Sequence, residues 1–478
     1  MPTRPQTDAR AGMAHLLISL FLLAGDLTAA GLAAAAALGL HQALSGPAGS
    51  GLDPSLLPTL LLLPVAYLHA GLYPGYGCGA VDQLRLLSRS TTLVVFLVFL
   101  TTCLLGPGAQ RSPVALLYTW LFALFLVPLG RALLRCRLVR TPWWGEPVVV
   151  LGAAKTAELA VRRLLENPGL GLRPVACLDD DPSRHGTTCG GVPVIGSLAL
   201  APRLAATGRV RSALIAMPGV PRQRVLQVID QHAACFARVR IIPDLLGVPS
   251  HQVSARDLQG IVALEVRPNL LDRWNRLLKR VMDLVLSLPL LLAAGPVILL
   301  AALAVKLNSP GPGFYAQERE GLHGRRIRVW KVRTMVPDAD AVLEQHLASD
   351  LQARAEWERH MKLRHDPRIV PRVGAFLRRY SLDELPQLWN VVKGEMSLVG
   401  PRPFPEYHLS KFSSGFRVLR RRVPPGMTGL WQVSARSEGD LAVQEELDTY
   451  YIRNWSPWLD LYLLARTARA VLSGRGAY

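Results

Sequence analysis

Acidic residues are scarce in this chain: 35 Asp and Glu stand against 54 Lys and Arg over 478 residues, a formal net charge of +19. Cysteine is scarcer still. The six residues, Cys78, Cys103, Cys136, Cys177, Cys189 and Cys235, form no C-x-x-C pair and have no histidine at ligand spacing, which excludes a disulfide framework and a zinc site as organising features. Polar surface is also in short supply. Half of the residues are hydrophobic and the mean hydropathy is +0.23, values high for a soluble protein, so membrane segments are sought first.

Four apolar stretches fill the first third, Leu16–Leu40, Leu56–Leu72, Thr91–Leu105 and Val114–Leu134. Each is near the roughly 17–25 residues that a spanning helix needs, the third being short. The first is too long, and too closely followed by more spans, for a cleavable signal peptide. Arg4 and Arg10 precede span one, Arg85 and Arg89 follow span two, and Arg131, Arg135, Arg137 and Arg140 close span four, while the other side holds only Arg111. Short cytoplasmic loops carry the basic excess, so the N-terminus and everything beyond Arg135 are expected in the cytoplasm. Asp26, inside span one, reads either as a functional intramembrane acid or as a structural polar contact.

After "TPWWGEP" the pattern changes to short apolar runs separated by helical stretches, and Pro147 to about Pro243 reads as a small doubly wound parallel sheet. A dinucleotide-binding turn needs its second glycine so that the backbone can approach a pyrophosphate. Here Gly152 is followed by Ala154 and Ala157 at the later glycine positions, and Asp179 stands where a ribose-binding acid would lie. The expectation is therefore a structural or regulatory domain that does not bind NAD(P), with cofactor binding as the alternative.

A fifth apolar run, Leu284–Val305, is long enough to cross a bilayer. Arg273, Arg276, Lys279 and Arg280 precede it and Lys306, Arg319, Arg325 and Arg326 follow it, so no charge asymmetry favours crossing. Pro289 and Pro296 lie inside it, and an interior proline removes a helical hydrogen bond and clashes with the preceding turn. The reading adopted is a helix broken at Gly295-Pro296 that enters the cytoplasmic leaflet and returns. A kinked fifth span is the alternative.

"RRYSLDELPQLWNV" places two adjacent carboxylates, Asp383 and Glu384, in this basic chain. Ser381 with Glu384 fits the S-x-x-E capping box, and acids suit a helix's first turn. A helix N-terminus also offers free N–H groups to a phosphate, so chemistry is the second reading of the pair after capping.

From Lys279 onward the chain resembles the bacterial sugar transferase family, the polyprenyl-phosphate hexose-1-phosphate transferases. The likeness runs in order through "KRVMDL", "KLNSPGPGFYAQEREGLHG", "VWKVRTM", "HDPRIV", "SLDELPQLWNVVKGEMSLVGPRP", "VPPGMTGLWQVSAR" and "LDTYYIRNWSPWLDLYLLARTARAVLSGRGAY". Gly295-Pro296 replaces the usual Ser-Pro, and "KVRTM" replaces "KFRTM". The "LYPGYGCGAVDQLR" loop and the "GRGAY" ending look most like the members that transfer galactose phosphate.

The fold implied is a membrane protein with an N-terminal four-helix transmembrane bundle (1–140), a Rossmann-like α/β domain (141–265) and a C-terminal, mostly helical catalytic domain (270–478) with a re-entrant membrane helix at 281–305. The reaction implied is transfer of a hexose-1-phosphate from a UDP-sugar to undecaprenyl phosphate with release of UMP, at the inner face of the cytoplasmic membrane, as the first step of an exopolysaccharide, capsule or O-antigen. The resemblance makes Asp383 the nucleophile and Glu384 the partner of Mg²⁺. Lys331, Arg333, Arg368, Arg402 and Arg436 are candidates for the phosphates, since Arg suits bidentate phosphate recognition. Their other reading is attraction to anionic lipid. "SLVGPRPFP", with Arg402 and Pro403, lines the uridine site by resemblance, with Gln432 as a further contact. Asp448 either orders metal or basic residues or is structural. The segment "NWSPWLDLYLLARTARAVL" reads as amphipathic, with Trp455 and Trp458 in an interfacial belt or packed on the core.

Expected partners are the UDP-sugar, undecaprenyl phosphate and membrane lipids, with a homo-oligomer left open and no nucleic acid. The alternatives are glucose as the sugar, a glycosyltransferase releasing UDP, modification of a nucleotide-sugar by the middle domain, and a non-enzymatic polysaccharide assembly scaffold.

Overall fold

Apolar runs become helices in the first unit because lipid leaves backbone amides no other partner. The structure, a computed structural model, describes residues 6–45, 56–104, 113–243, 253–258, 261–266, 270, 272–360, 363, 365–434 and 441–473. The chain divides into two units, Met1–Gly247 and Val248–Tyr478.

Unit one opens with α1 (Gln6–Ser45), α2 (Leu56–His69), α3 (Ala80–Leu104) and α4 (Pro113–Leu138). Three of these are long and apolar enough to cross a membrane, α1 from Met13 onward. The third is not short as expected. Its helix starts at Ala80 and runs 25 residues, because "AVDQLRLLSR" continues it. The second is the short one, 14 residues, about 21 Å at 1.5 Å per residue.

Small residues let α1 lie close against α4. Ala29, Ala30 and Ala33 are buried, and a Cβ added at Gly130 would sit 3.2 Å from that of Ala29. Asp26 is a structural contact. It pairs with Arg131, whose Nε donates to Oδ1 at 3.1 Å and whose NH1 donates to the Leu72 carbonyl at 3.0 Å, while the Tyr73 hydroxyl donates to Asp26 Oδ2 at 2.7 Å. A buried charge is tolerable only when paired and hydrogen-bonded, and these bonds tie the turn after α2 to the bundle.

The α/β part follows: β1 (Glu146–Leu151), α5 (Lys155–Glu166), β2 (Leu172–Leu178), β3 (Thr188–Cys189), β4 (Val192–Gly196), α6 (Ala201–Ala206), β5 (Ser212–Ile215), α7 (Arg222–Val228) and β6 (Arg238–Ile241). The sheet order is β3-β4-β2-β1-β5-β6. All neighbours are parallel except β3 against β4. Val148 to Leu151 are wholly buried, as expected of a central strand covered on both faces.

Gly152 has φ +104, and a Cβ there would meet Met217 Cγ at 2.7 Å, so glycine is needed for packing. Asp179 is spent on the same turn. Its Oδ2 accepts from Ala153 N at 2.7 Å and its Oδ1 from Asp181 N at 3.0 Å. The acid that a ribose would use therefore closes the amide that a pyrophosphate would use.

Unit two holds the hairpin β7 (Val253–Leu258) and β8 (Ile261–Val266), then α8 (Arg273–Asn308), β9 (Phe314–Glu320), β10 (Arg326–Val332), α9 (Ala339–Ser349), α10 (Leu351–His360), α11 (Val373–Arg379), α12 (Gln387–Lys393), β11 (Ser397–Val399), α13 (Glu406–Leu409), α14 (Ser414–Arg420), β12 (Gly426–Thr428), α15 (Leu430–Ser434), α16 (Leu441–Asn454) and α17 (Pro457–Ser473). It is mostly helical, with two-stranded sheets β9-β10, β11-β12 and β7-β8.

The break expected at Gly295-Pro296 is not a helix end, because α8 continues through Pro289 and Pro296. Its N-cap is Asp272, whose side chain accepts from Trp274 N and Asn275 N. Two separated stretches of α8 are buried: Lys279, Asp283 and Ser287 near its start, and Ile298, Ala301, Ala302 and Val305 near its end. Leu288 to Val297 are all at least partly exposed.

The first stretch is fastened by charge. Lys279 Nζ donates to Asp283 Oδ1 at 3.0 Å and lies 2.7 Å from Asp460 Oδ2. Ser397 Oγ and Leu398 N donate to Asp283, and Trp455 Nε1 donates to Asp460 at 3.1 Å. Trp455 is 1% exposed. Of its two readings, core packing holds and the interfacial belt does not, because its indole N–H is committed to a buried carboxylate.

Candidate active site

The DE pair sits on a three-residue 3₁₀ turn, Leu382–Glu384, and the helix proper begins only at Gln387. Ser381 precedes the turn in the left-handed region, φ 53 and ψ 27, and makes no side-chain cap. The capping box is therefore not formed. Pro386 stands at the N-cap of α12, and the Glu384 side chain turns elsewhere. A non-glycine residue with positive φ is strained, and such strain collects at functional sites.

Glu384 is met by two cations. Lys331 Nζ donates to Glu384 Oε1 at 2.7 Å and Arg402 NH2 donates to the same oxygen at 3.0 Å. Burial pushes the Glu384 carboxyl up, but Lys331 and Arg402 outweigh it and hold the group well below the usual carboxylate range. Asp383 behaves oppositely. It is 8% exposed, and burial raises its pKa to about 6 against the pull of Lys331 and Arg378 and with a push from Glu384. One carboxylate is thus fixed as an anion while its neighbour titrates close to neutrality, the divergence that marks chemically distinct roles.

Each partner reaches this point for a local reason. Lys331 lies near the end of β10, which pairs antiparallel with β9 from Arg326↔Glu320 to Val332↔Phe314. The free edge of β10 is held by Asn390 of α12, fully buried. Its Oδ1 accepts from Trp330 N at 3.2 Å and its Nδ2 donates to Arg328 O at 2.7 Å. Asn390 thereby sets the strand that carries Lys331 against the helix that follows Glu384. Sequence reading missed it, since in "QLWNVV" it passes for an interruption in an apolar run. Arg280 of α8 donates to Val391 O at 2.5 Å and Val392 O at 2.7 Å, satisfying carbonyls at the end of α12.

Arg402 stands in the turn after β11. That turn crosses the "PPGMTG" loop at Gly426, where an added Cβ would be 2.1 Å from Gly400 N. Only glycine admits this contact. Pro403 follows Arg402, half-buried, and Gln432 donates to Met427 O at 3.1 Å, bracing the same loop.

The other expected residues lie in different settings. Arg333 is buried and donates to Pro310 O at 2.7 Å and Ser309 O at 2.9 Å, closing the C-terminal end of α8. Arg368 forms a two-bond pair with Asp366 at 2.8 and 2.7 Å and lies over Trp357. Asp448 is 2% exposed, and burial lifts its carboxyl to about 7 against the opposing charge of Arg420. Arg436 lies outside the described residues. The structure thus brings together Asp383, Glu384, Lys331 and Arg402.

Residues 274–474 match the model of the bacterial sugar transferases. An undecaprenyl-phosphate galactose phosphotransferase of Salmonella typhimurium is 35% identical over 392 residues, 81% of each chain. The chain belongs to the bacterial sugar transferase family. A UDP-galactose-lipid carrier transferase of Erwinia amylovora is 36% identical over 363 residues, 75% of each chain. A UDP-glucose:undecaprenyl-phosphate glucose-1-phosphate transferase of Escherichia coli is 34% identical over 342 residues, 69% of this chain and 68% of that one. Residues 70–243 match a model described as a CoA-binding domain, which begins within the bundle, just after α2. As a bacterial sugar transferase the protein is a membrane enzyme, a phosphoglycosyl transferase.

Among the described residues no group of three or more His, Cys, Asp or Glu is placed to hold a metal ion. Mg²⁺ does not need one, because it commonly binds through one or two carboxylates and takes its remaining ligands from substrate phosphates and water. Adjacent Asp383 and Glu384 suit that sparse donor set. Both cations bond Glu384 Oε1, which leaves Oε2 free of them.

Proposed function

We propose that the enzyme transfers a hexose-1-phosphate from a UDP-sugar to undecaprenyl phosphate and releases UMP, with galactose as the sugar favoured by the Salmonella and Erwinia relatives, 35% and 36% identical over 81% and 75% of this chain. The observation that carries this reading is the split pair: a buried Asp383 able to ionise near neutrality, beside a Glu384 already gripped by Lys331 and Arg402. The Asp383 carboxylate attacks the phosphorus that bears the sugar. The bond to the bridging oxygen breaks and UMP leaves with the electron pair, so the sugar phosphate is held on Asp383 as an acyl phosphate. The phosphate of the lipid then attacks the same phosphorus, frees the carboxylate and forms the lipid diphosphate sugar. Dividing one displacement into two lets a water-soluble donor and a lipid acceptor use the site in turn.

Lys331 and Arg402 balance the charge of the two carboxylates. A metal ion therefore gains most by arriving with the diphosphate's own negative charge. Glu384, with Asp383 beside it, would hold Mg²⁺, which when bound supplies neutralisation of the diphosphate oxygens. Lys331 orients Glu384, and Arg402, with a third of its side chain exposed, is the cation of the pair better placed to follow the departing UMP phosphate.

A stretch near each end of α8 is buried in unit two, while its middle stays at least partly exposed, and both flanks are basic. These observations support a helix that dips into the cytoplasmic leaflet and keeps both ends on the face where the UDP-sugar is found.

The deciding experiment supplies undecaprenyl phosphate with UDP-galactose or UDP-glucose and identifies the released nucleotide. UMP is expected; UDP would show a glycosyltransferase that moves the sugar alone. The sugar that supports turnover decides between galactose and glucose.

A further inference from the structure

Behind Arg402 lies a second set of buried charged groups for which the chemistry above has no use. Arg420, the last residue of α14, is 5% exposed. Its guanidinium lies 5.2 Å from the Phe404 ring centroid and 5.9 Å from that of Phe416, and its NH2 donates to the backbone carbonyl of Arg402 at 2.8 Å. It therefore holds the main chain of the very residue whose side chain bonds Glu384. Its other terminal nitrogen, NH1, is buried without a hydrogen-bond partner.

Among the other buried atoms in that condition are Gln444 Nε2 and Asp448 Oδ2. Both belong to α16, which packs against α14, and positions four apart lie on one face of a helix. Gln444 is 3% exposed and Asp448 2%. Arg420 and Asp448 are close enough to shift each other's titration. Native interiors rarely leave such atoms unpaired, because each one loses its hydration and gains nothing.

The three orphans are two donors and one acceptor. A water molecule has the complementary set, since it can accept from Arg420 NH1 and Gln444 Nε2 and donate to Asp448 Oδ2. Three bonds is about the number that a typical buried water makes. We infer that Arg420, Gln444 and Asp448 enclose a bound water, and that this water-bridged cluster is a positioning device for the reaction, fixing the Arg402 turn so that its guanidinium meets Glu384. The inference rests on the reading of Arg402 and Glu384 as part of the active site.

The test is a double-mutant cycle on the full-length enzyme in detergent, reading kcat/KM for the UDP-sugar. Arg420→Lys keeps the charge but loses the second terminal nitrogen. In the native background it should cost at least about tenfold. In an Arg402→Ala background the same change should cost less than about threefold, because the residue through which it acts is already gone. Arg402→Lys serves as the background if Arg402→Ala falls below detection. Gln444→Leu, which removes one donor to the water, should show the same dependence, and it carries the cycle if thermal unfolding shows that Arg420→Lys does not fold. Equal losses in both backgrounds would mean a general structural role and would overturn the inference. Near-native activity of both Arg402→Ala and Glu384→Gln would instead overturn the active-site reading beneath it.

Discussion

On the proposed reading, two neighbouring carboxylates shifted in opposite directions, Asp383 upward and Glu384 downward, divide the chemistry between them. If Asp383 forms the covalent intermediate, Asp383→Asn should lower kcat on the order of 10³-fold or more while the protein remains folded. A capping role would tolerate Asn at a cost of about 1 kcal/mol or less. Mass spectrometry of enzyme given UDP-sugar without lipid should find a sugar phosphate on Asp383, and near-normal turnover of the variant would place the nucleophile elsewhere. Glu384→Gln should also lose most activity, with partial recovery at higher Mg²⁺. The reactive form of Asp383 is the ionised one, and burial raises its pKa to about 6. Activity should therefore fall as pH drops through about 6 and level off above it, with Glu384 charged throughout. The linkage to folding has the opposite sense: the folded chain holds this proton more tightly than the unfolded one, so Asp383's contribution to stability declines as pH rises from the ordinary carboxylate value to about 6.

Among the elements, α8 and β10 carry the sharpest expectations. In a background without native cysteines, Arg276→Cys and Asn308→Cys should both be labelled by an impermeant thiol reagent from the cytoplasmic side. Labelling of either one from outside only would exclude a re-entrant α8. Pro296→Leu should shift part of the population toward a straight span, since it restores the missing hydrogen bond and relieves the clash with the preceding turn. At the other element, Asn390→Leu strips partners from Trp330 N and Arg328 O on the free edge of β10. Leaving two part-buried backbone groups unpaired should cost roughly 1–3 kcal/mol, read as a drop in thermal unfolding temperature, with Lys331 displaced and activity reduced as well. The DE pair was legible in the sequence and its brace was not, because Asn390 holds β10 through contacts 60 and 62 residues away.

For the whole molecule, the α/β part should act on stability or assembly more than on chemistry. Asp179 closes the Ala153 amide and Ala154 and Ala157 stand at the later glycine positions, so calorimetric titration should detect no NAD(P) binding at physiological concentration. Micromolar affinity would reverse this and give the domain a regulatory role. Removal of residues 147–243 should reduce the yield of folded enzyme while leaving the turnover of the surviving fraction within about an order of magnitude.

Composition and pattern alone pointed to a membrane protein with a parallel sheet after the bundle, and the family resemblance of the C-terminal motifs singled out Asp383 and Glu384. Hydrophobic periodicity reports which residues leave water, and the first two of those conclusions depend on that. Partner choice is a different property. Lys331 lies 53 residues before Glu384 and Arg402 18 after it, yet both reach one oxygen, whereas Arg333 and Arg368, drawn from the same motifs, are committed to carbonyls and to Asp366. Trp455 likewise has an interfacial sequence setting and a buried place. Only the tertiary structure decided these cases, because a buried polar group must be satisfied by whatever donor or acceptor the packing of distant segments brings within about 3 Å.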